Sequence, residues 1–200
     1  LIMGKDNGNT TNSWLNLGKI LELCISGGVS TITGKKLGKT DEENGCHSKL
    51  EVLQNIREIF YKNVDEYAEK MTQSANAASE AIGLLQVPFL STMMGGVESG
   101  IDTRDTKKQG TKYNGSGCLI HGLSVVADSF IAIDTLLKER PQDADRLVEA
   151  LRTNFENDPE MHEYLMNCKK FGNNVAEVDR EAQEIANKVA DIVASKKNYL

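Results

Sequence analysis

At 200 residues, with 40% hydrophobic and 26% charged residues, the chain is large enough to bury the core of one ordinary domain or part of a larger one. A net charge of −6 argues against nucleic acid or an anionic membrane as a partner, since either wants a basic face. No apolar run approaches the length of a bilayer span and no charged-then-apolar leader opens the chain, so a cytoplasmic location is expected.

The opening Leu1-Ile2-Met3 points to a piece of a longer product, unless Met3 is a start preceded by vector residues. Residues 1–12 are rich in Gly, Asn and Thr and read as a loop. Ser13 is the expected N-cap of a first helix, with Leu17, Ile20, Leu21 and Cys24 on one face and Gly27-Gly28 as its stop. Residues 29–47 have connecting-loop chemistry. Ser48-Lys49-Leu50-Glu51 is a capping-box sequence, in which Glu51 should reach back to the Ser48 N–H. Leu53, Ile56, Phe60, Val64, Tyr67 and Met71 then form one apolar stripe, on a helix predicted to continue through residues 75–81 and to end between Gly83 and Pro88.

For residues 87–94, short and apolar between Pro88 and Gly95-Gly96, strand and buried helix compete. Residues 97–117 read as a polar loop. Residues 119–137 suit a buried helix, and 143–155, 159–168 and 176–195 read as three amphipathic helices. The expected whole is rich in helix, poor in strands and without an internal repeat.

Several chemical signals fade on inspection. Gly34 to Thr40 imitates a phosphate-binding loop but places three residues, not four, between its glycines, and no buried strand precedes it. The four cysteines (Cys24, Cys46, Cys118 and Cys168) lack metal-ligand spacing, and Cys46-His47 are adjacent rather than chelating. They read as reduced thiols. His121 reads as a core or pocket-edge histidine and His162 as a solvated one. Asn9-Thr10-Thr11 and Asn114-Gly115-Ser116 match the glycosylation tripeptide, but no secretion signal accompanies them.

Five segments, in order, carry a resemblance. Leu15-Asn16-Leu17-Gly18-Lys19-Ile20-Leu21-Glu22-Leu23 is similar to an Asn-Leu-Ala-Lys-x-Leu-Glu helix, and Thr33-Gly34-Lys35-Lys36-Leu37-Gly38 to a Thr-Gly-x-x-Leu-Gly loop. Pro88-Phe89-Leu90-Ser91 resembles a Pro-hydrophobic-Leu-Ser segment. Gly110-Thr111-Lys112-Tyr113-Asn114, followed by Gly122 and Val126-Ala127-Asp128-Ser129, resembles a Gly-Ala-x-Tyr-Asn loop and its following helix. Lys170-Phe171-Gly172-Asn173-Asn174 resembles a Lys-Tyr/Phe-Gly-Asn-Asp turn. Together they resemble the later barrel region of glycyl radical enzymes of the pyruvate formate-lyase-like family. Gly95-Gly96 stands where many relatives carry an acidic pair, and Asn174 where they carry Asp.

The resemblance implies an α/β fold: a helix-rich segment, with few strands, of a ten-stranded barrel. Residues 1–200 would be part of a single barrel domain, incomplete at both ends. The family pairs a backbone glycyl radical with a cysteine that becomes a thiyl radical and abstracts hydrogen from a buried substrate. Neither motif is found in this sequence; Gly117-Cys118-Leu119 imitates the cysteine loop but lacks its acidic residue.

The implied function is therefore a segment of a radical lyase or dehydratase acting on a small substrate, inactive alone, with no catalytic residue and no metal of its own. Formate acetyltransferase is the alternative within the family, and a non-catalytic helical binding or scaffold protein the alternative outside it. Pocket candidates are Tyr113 and Asn114, then Phe171 and Asn173. No bound cofactor is implied, the glycyl radical lying outside the segment. The implied partners are the remainder of the chain, a radical S-adenosylmethionine activating enzyme, a second subunit in a homodimer and the small-molecule substrate. A barrel segment taken alone is also expected to expose the faces carrying Phe60, Val64, Ile131 and Leu136.

Overall fold

A computed structural model describes residues 10–108 and 116–198. Its elements run β1 (Thr10–Asn16), α1 (Leu17–Ile25), α2 (Lys49–Gln54), α3 (Ile56–Gly83), α4 (Pro88–Ser91), α5 (Val97–Ser99), β2 (Ser116–His121), α6 (Leu123–Glu139), α7 (Ala144–Arg152), α8 (Pro159–Met166) and α9 (Ala176–Ala194). β1 and β2 pair in a two-stranded sheet. Helix dominates the rest, as the sequence implies.

The first helix starts later than Ser13. The backbone is still extended there, so the Ser13 hydroxyl does not face a helical turn and instead donates to the Gly117 carbonyl at 3.3 Å. Asn16 takes the capping role, its Oδ1 accepting the Lys19 N–H at 3.0 Å. Residues 10–12, expected in a loop, belong to β1. α1 does stop at Gly27-Gly28. Gly28 has φ +81°, and a Cβ on it would lie 2.4 Å from the Gly38 carbonyl oxygen, so the chain closes here only around glycine. The N–H groups of Leu37 and Gly38 donate to the Gly28 carbonyl across that closure, at 2.8 and 2.9 Å.

The capping box forms with one shift. Ser48 Oγ accepts the Glu51 N–H at 3.2 Å, while the Glu51 carboxylate reaches the His47 N–H at 2.7 Å, one residue before the expected donor. α3 runs unbroken through residues 75–81 to Gly83, and α9 matches its predicted span to within one residue. Of the two readings left open for residues 87–94, helix is the one found: it starts at Pro88 as α4 and continues in a turn over Thr92–Gly96 that is kinked at Met94 and Gly95.

The chain forms two compact units. Among the described residues, one comprises 10–15, 66–108, 116–120 and 192–198, and the other 16–65 and 121–191. α3 contributes residues to both.

The second unit holds the large apolar core. Leu17, Leu53, Ile56, Phe60, Val126, Phe130, Leu136, Met161, Val178 and Ile185 are all at most 1% exposed. Phe60 meets Phe130 edge-to-face with centroids 5.4 Å apart. Arg57 lies over the same Phe130 ring at 4.7 Å and forks to two carboxylates, Asp134 on α6 (2.7 and 2.9 Å) and Glu181 on α9 (2.9 and 3.1 Å). Burial works against the charge of Arg57, but the two carboxylates outweigh it and hold the guanidinium firmly protonated.

One expectation is overturned here. Phe60, Val64, Ile131 and Leu136 are 0, 0, 5 and 0% exposed, because helices of this same chain cover them.

The first unit is built differently. Its buried residues are small or polar for the most part: Ala68, Ala75, Ser79, Ser91 and Thr103, with Leu15 and Met94 the larger ones. Ser91 is the hub. Its hydroxyl donates to Asp102 Oδ2 at 2.8 Å and accepts the Thr103 N–H at 3.0 Å, while Asp102 also accepts the N–H groups of Val87 and Arg104, each at 2.9 Å.

Candidate functional site

Two adjoining clefts mark the second unit. One, of about 270 Å³, lies among α1, α6 and the end of α7, and Glu22, Ser26, Thr31 and Arg152 give it polar walls. The other, of about 250 Å³, lies among α6, α7 and α8, and its walls are Ala132, Ile133, Leu147, Leu165 and Met166, with Asp128, His162 and Lys170 as polar members. Ile25, Ser129, Leu151 and Phe155 line both.

Local chemistry fixes each wall. Gly122 starts α6 with φ +93°, and a Cβ on it would stand 2.9 Å from the Gly18 backbone nitrogen. Only glycine lets the starts of α1 and α6 approach so closely. α7 ends at Arg152 rather than at Phe155, because Asn154 and Phe155 both turn left-handed, at φ +49° and +62°. The Phe155 N–H reaches back to the Ala150 carbonyl at 2.7 Å, which closes the helix end and offsets the strain of a bulky residue in that conformation. The Phe155 ring lies 5.0 Å from that of His162. Asp158 caps α8 through the Met161 N–H at 3.0 Å and is gripped by Arg146 at 2.6 and 2.8 Å.

On the first cleft, Glu22 accepts from Lys19 (2.7 and 2.8 Å) and from both the N–H and hydroxyl of Thr31 (2.8 Å each). Burial would raise the pKa of this carboxyl, but the hydrogen bonds from Lys19 and Thr31 outweigh it and hold it below the ordinary carboxylate value. Cys24, on the buried face of α1, is the opposite case: burial pushes its thiol up to about 12.

The Lys170–Gly172 turn is fastened from two sides. Lys170 Nζ donates to the Leu165 and Cys168 carbonyls at 2.7 and 2.9 Å, closing the C-terminus of α8. The Phe171 N–H donates to Asp128 Oδ1 at 2.6 Å. Two segments singled out in the sequence, Val126–Ser129 and Lys170–Asn174, thus meet through Asp128 and Phe171. Asp128 is the residue that sequence reasoning did not place in the site, although both segments carried a signal. Asn174 sits left-handed at φ +55°, a conformation that Asn tolerates better than most residues.

Of the four pocket candidates, Phe171 and Asn173 lie exposed on this turn, and Tyr113 and Asn114 lie outside the described residues. His162 is exposed, as expected; His121 is exposed too, which excludes the core position but not the pocket-edge one among its two expected places. Among the described residues no group of three or more His, Cys, Asp or Glu gathers to hold a metal, and no helix is long and apolar enough to cross a membrane.

Comparison with known proteins gives a consistent picture. Trans-4-hydroxy-L-proline dehydratase of Clostridioides difficile is 28% identical over 183 residues, covering 87% of this chain and 22% of its own. (2S)-3-sulfopropanediol dehydratase of Klebsiella oxytoca is 28% identical over 156 residues, covering 77% and 18%. Among solved structures, the glycerol-bound B12-independent glycerol dehydratase of Clostridium butyricum superposes with a TM-score of 0.81 at 25% identity, over 98% of this chain and 24% of that one. A glycyl radical enzyme of Archaeoglobus fulgidus superposes at 0.78 with 24% identity, over 94% and 24%. The chain therefore spans about a quarter or less of the length of these proteins, and its fold is that of a part of a glycyl radical enzyme barrel. The family profile described as pyruvate formate lyase-like matches residues 1–200, and the chain belongs to that family.

Proposed function

We propose that these 200 residues are the helix-rich part of a glycyl radical dehydratase, a lyase that removes a hydroxyl group as water from a small, polar, hydroxylated substrate. The observation that carries the reading is the 28% identity, over most of this chain, to two dehydratases. In this reading the cysteine and glycyl loops belong to polypeptide outside residues 1–200, and these residues shape and close the pocket rather than perform hydrogen abstraction. Pocket closure is what a radical mechanism needs from its scaffold, since water and oxygen quench the intermediates. Tyr113 and Asn114 are the proposed substrate contacts, with the Phe171–Asn173 turn next to them in order of preference.

The test is anaerobic activation of the complete polypeptide by a radical S-adenosylmethionine activating enzyme. A glycyl doublet in the electron paramagnetic resonance spectrum is expected from the complete chain and none from residues 1–200 alone. Activated enzyme should then dehydrate a hydroxylated substrate, with hydroxyproline, sulfopropanediol and glycerol as first probes. A radical assigned within Leu1–Leu200, or a reading frame that encodes no glycyl motif, overturns the proposal.

A further inference from the structure

The two clefts of the second unit share Ile25, Ser129, Leu151 and Phe155, and most of the polar groups on their walls are already spent. Both Glu22 oxygens are taken by Lys19 and Thr31. The Ser26 and Ser129 hydroxyls donate to the carbonyls of Val29 and Val125, at 2.5 and 2.7 Å. In the second cleft Asp128 holds the Phe171 N–H, and Lys170 is bound to two carbonyls. Arg152 is the exception. Its side chain is 52% exposed, and a single nitrogen of its guanidinium meets Glu149 at 3.5 Å, the outer limit of a hydrogen bond. Asn154 adds an amide to the same wall.

The clefts therefore join one uncommitted cation to an apolar hollow, the one formed by Ala132, Ile133, Leu147, Leu165 and Met166. Phe155 stands where they meet. Its left-handed backbone and its N–H bond to the Ala150 carbonyl fix where the ring lies against His162. Each cleft alone falls short of the roughly 300–1,000 Å³ usual for a small-molecule site, whereas the two joined across Phe155 fall within that range.

A guanidinium is matched best by a planar head that accepts two parallel N–H bonds, which is a carboxylate. We propose that the joined clefts bind a small amphipathic carboxylate, its head on Arg152 and its apolar body past Phe155 among Ile133, Leu147 and Leu165. A cationic head would meet Arg152 and find Glu22 already paired with Lys19, and a neutral head would leave Arg152 unused. The site stands on residues of one unit and on no assumption about the reaction of the complete enzyme.

The test uses the complete polypeptide, with octanoate as the probe and 1-octanol as the same tail without a charge. Isothermal titration should show saturable binding of octanoate at one site per chain, and binding of octanol weaker by about tenfold or more. Arg152→Gln, at an exposed side chain, should weaken octanoate by about tenfold and leave octanol unchanged, so that the two probes become alike. Met166→Glu, at a side chain 60% exposed, brings a charge to the hollow and should weaken both probes. An octanoate analogue with a diazirine on its tail should cross-link to peptides carrying Leu147 or Leu165. Absence of saturable binding overturns the proposal, as does equal affinity for the two probes. Octanoate binding that survives Arg152→Gln but not Met166→Glu would leave an apolar hollow with no head site, and overturns it too. Glycyl radical yield in the same variants reports separately on the functional reading, which stands or falls without this site.

Discussion

The carboxylate of Asp128, on α6, accepts the backbone N–H of Phe171 at 2.6 Å and so fixes the turn that follows α8. The acceptor is charged, and the bond should contribute about 1–2 kcal/mol. Asp128→Ala should lower the urea midpoint correspondingly and free the Phe171 amide to exchange, whereas Asp128→Asn, which keeps an acceptor oxygen, should restore part of both. Unchanged exchange at Phe171 in the alanine variant would show that the turn is held by Lys170 alone.

Arg57 is the point at which α3, α6 and α9 are cross-linked. Its removal leaves Glu181, whose side chain is 14% exposed, without its counter-charge. Arg57→Ala should destabilise the chain by about 2–3 kcal/mol, below the full cost of a deeply buried pair because Asp134 is half exposed. Arg57→Lys should recover little, since one ammonium cannot fork to two carboxylates while lying flat on Phe130. Chemical denaturation of the three proteins decides this, and a fully stable lysine variant would reduce Arg57 to a simple charge.

Gly122 and Gly34 form a matched pair for testing close approach. Both have positive φ, but a Cβ on Gly34 meets nothing within 4 Å while one on Gly122 meets the Gly18 nitrogen. Gly34→Ala should cost about 1 kcal/mol from backbone strain alone. Gly122→Ala should cost roughly 2–4 kcal/mol, because the starts of α1 and α6 must also separate. Equal losses in thermal or urea unfolding would show that the junction relaxes freely.

Glu22 gives the chain a pH dependence of known sign. Its folded pKa lies below the unfolded value, so its contribution is fully present above the unfolded pKa and is lost as pH falls through the folded one. The stability difference between the native chain and Glu22→Gln should be largest near neutrality and should shrink on acidification below about pH 4.5. A difference that grows on acidification would mean that Lys19 and Thr31 do not hold the ionised form.

Cys24 should be the slowest thiol. Burial raises its pKa to about 12, leaving almost no thiolate near pH 8, and its 2% exposure blocks reagents as well. Iodoacetamide should modify it only on unfolding, and rapid labelling of the native chain would contradict the α1 packing.

The helices of the large core were legible in the sequence wherever an apolar stripe met a strong cap. Ser48 and the run from Leu53 to Val64 gave both, but the single helix they predict is divided at Asn55 into α2, which Ser48 caps, and α3, a break that no local signal announced. β1 was not legible, because its TTNSWLN sequence lacks the alternation of a half-buried strand, and Ser13 and Asn16 are both good caps by composition. Only the extended backbone decides between them. For the Val87–Met94 run the sequence left strand and buried helix open; it is helical, but with Phe89 80% exposed, because a short apolar run does not report how much of it is covered. The site was legible as two separate segments. Their meeting through Asp128 and Phe171, 43 residues apart, depends on tertiary packing that no local pattern encodes.

The cross-link at Arg57 has a consequence in time rather than in structure. Its partners stand 77 and 124 residues away in sequence, so the core of this helical unit closes only after most of the chain is available. Single helices form within about a microsecond, but a contact at such separation must wait for a long loop to close, as in β proteins. On a ribosome adding about 5–20 residues per second, Ile82–Val97, which carries no charged residue, would emerge seconds before Asp134 and longer still before Glu181. The nascent chain thus displays its uncharged stretch while its best-packed core is still open, and that interval is when a chaperone would have the most to hold.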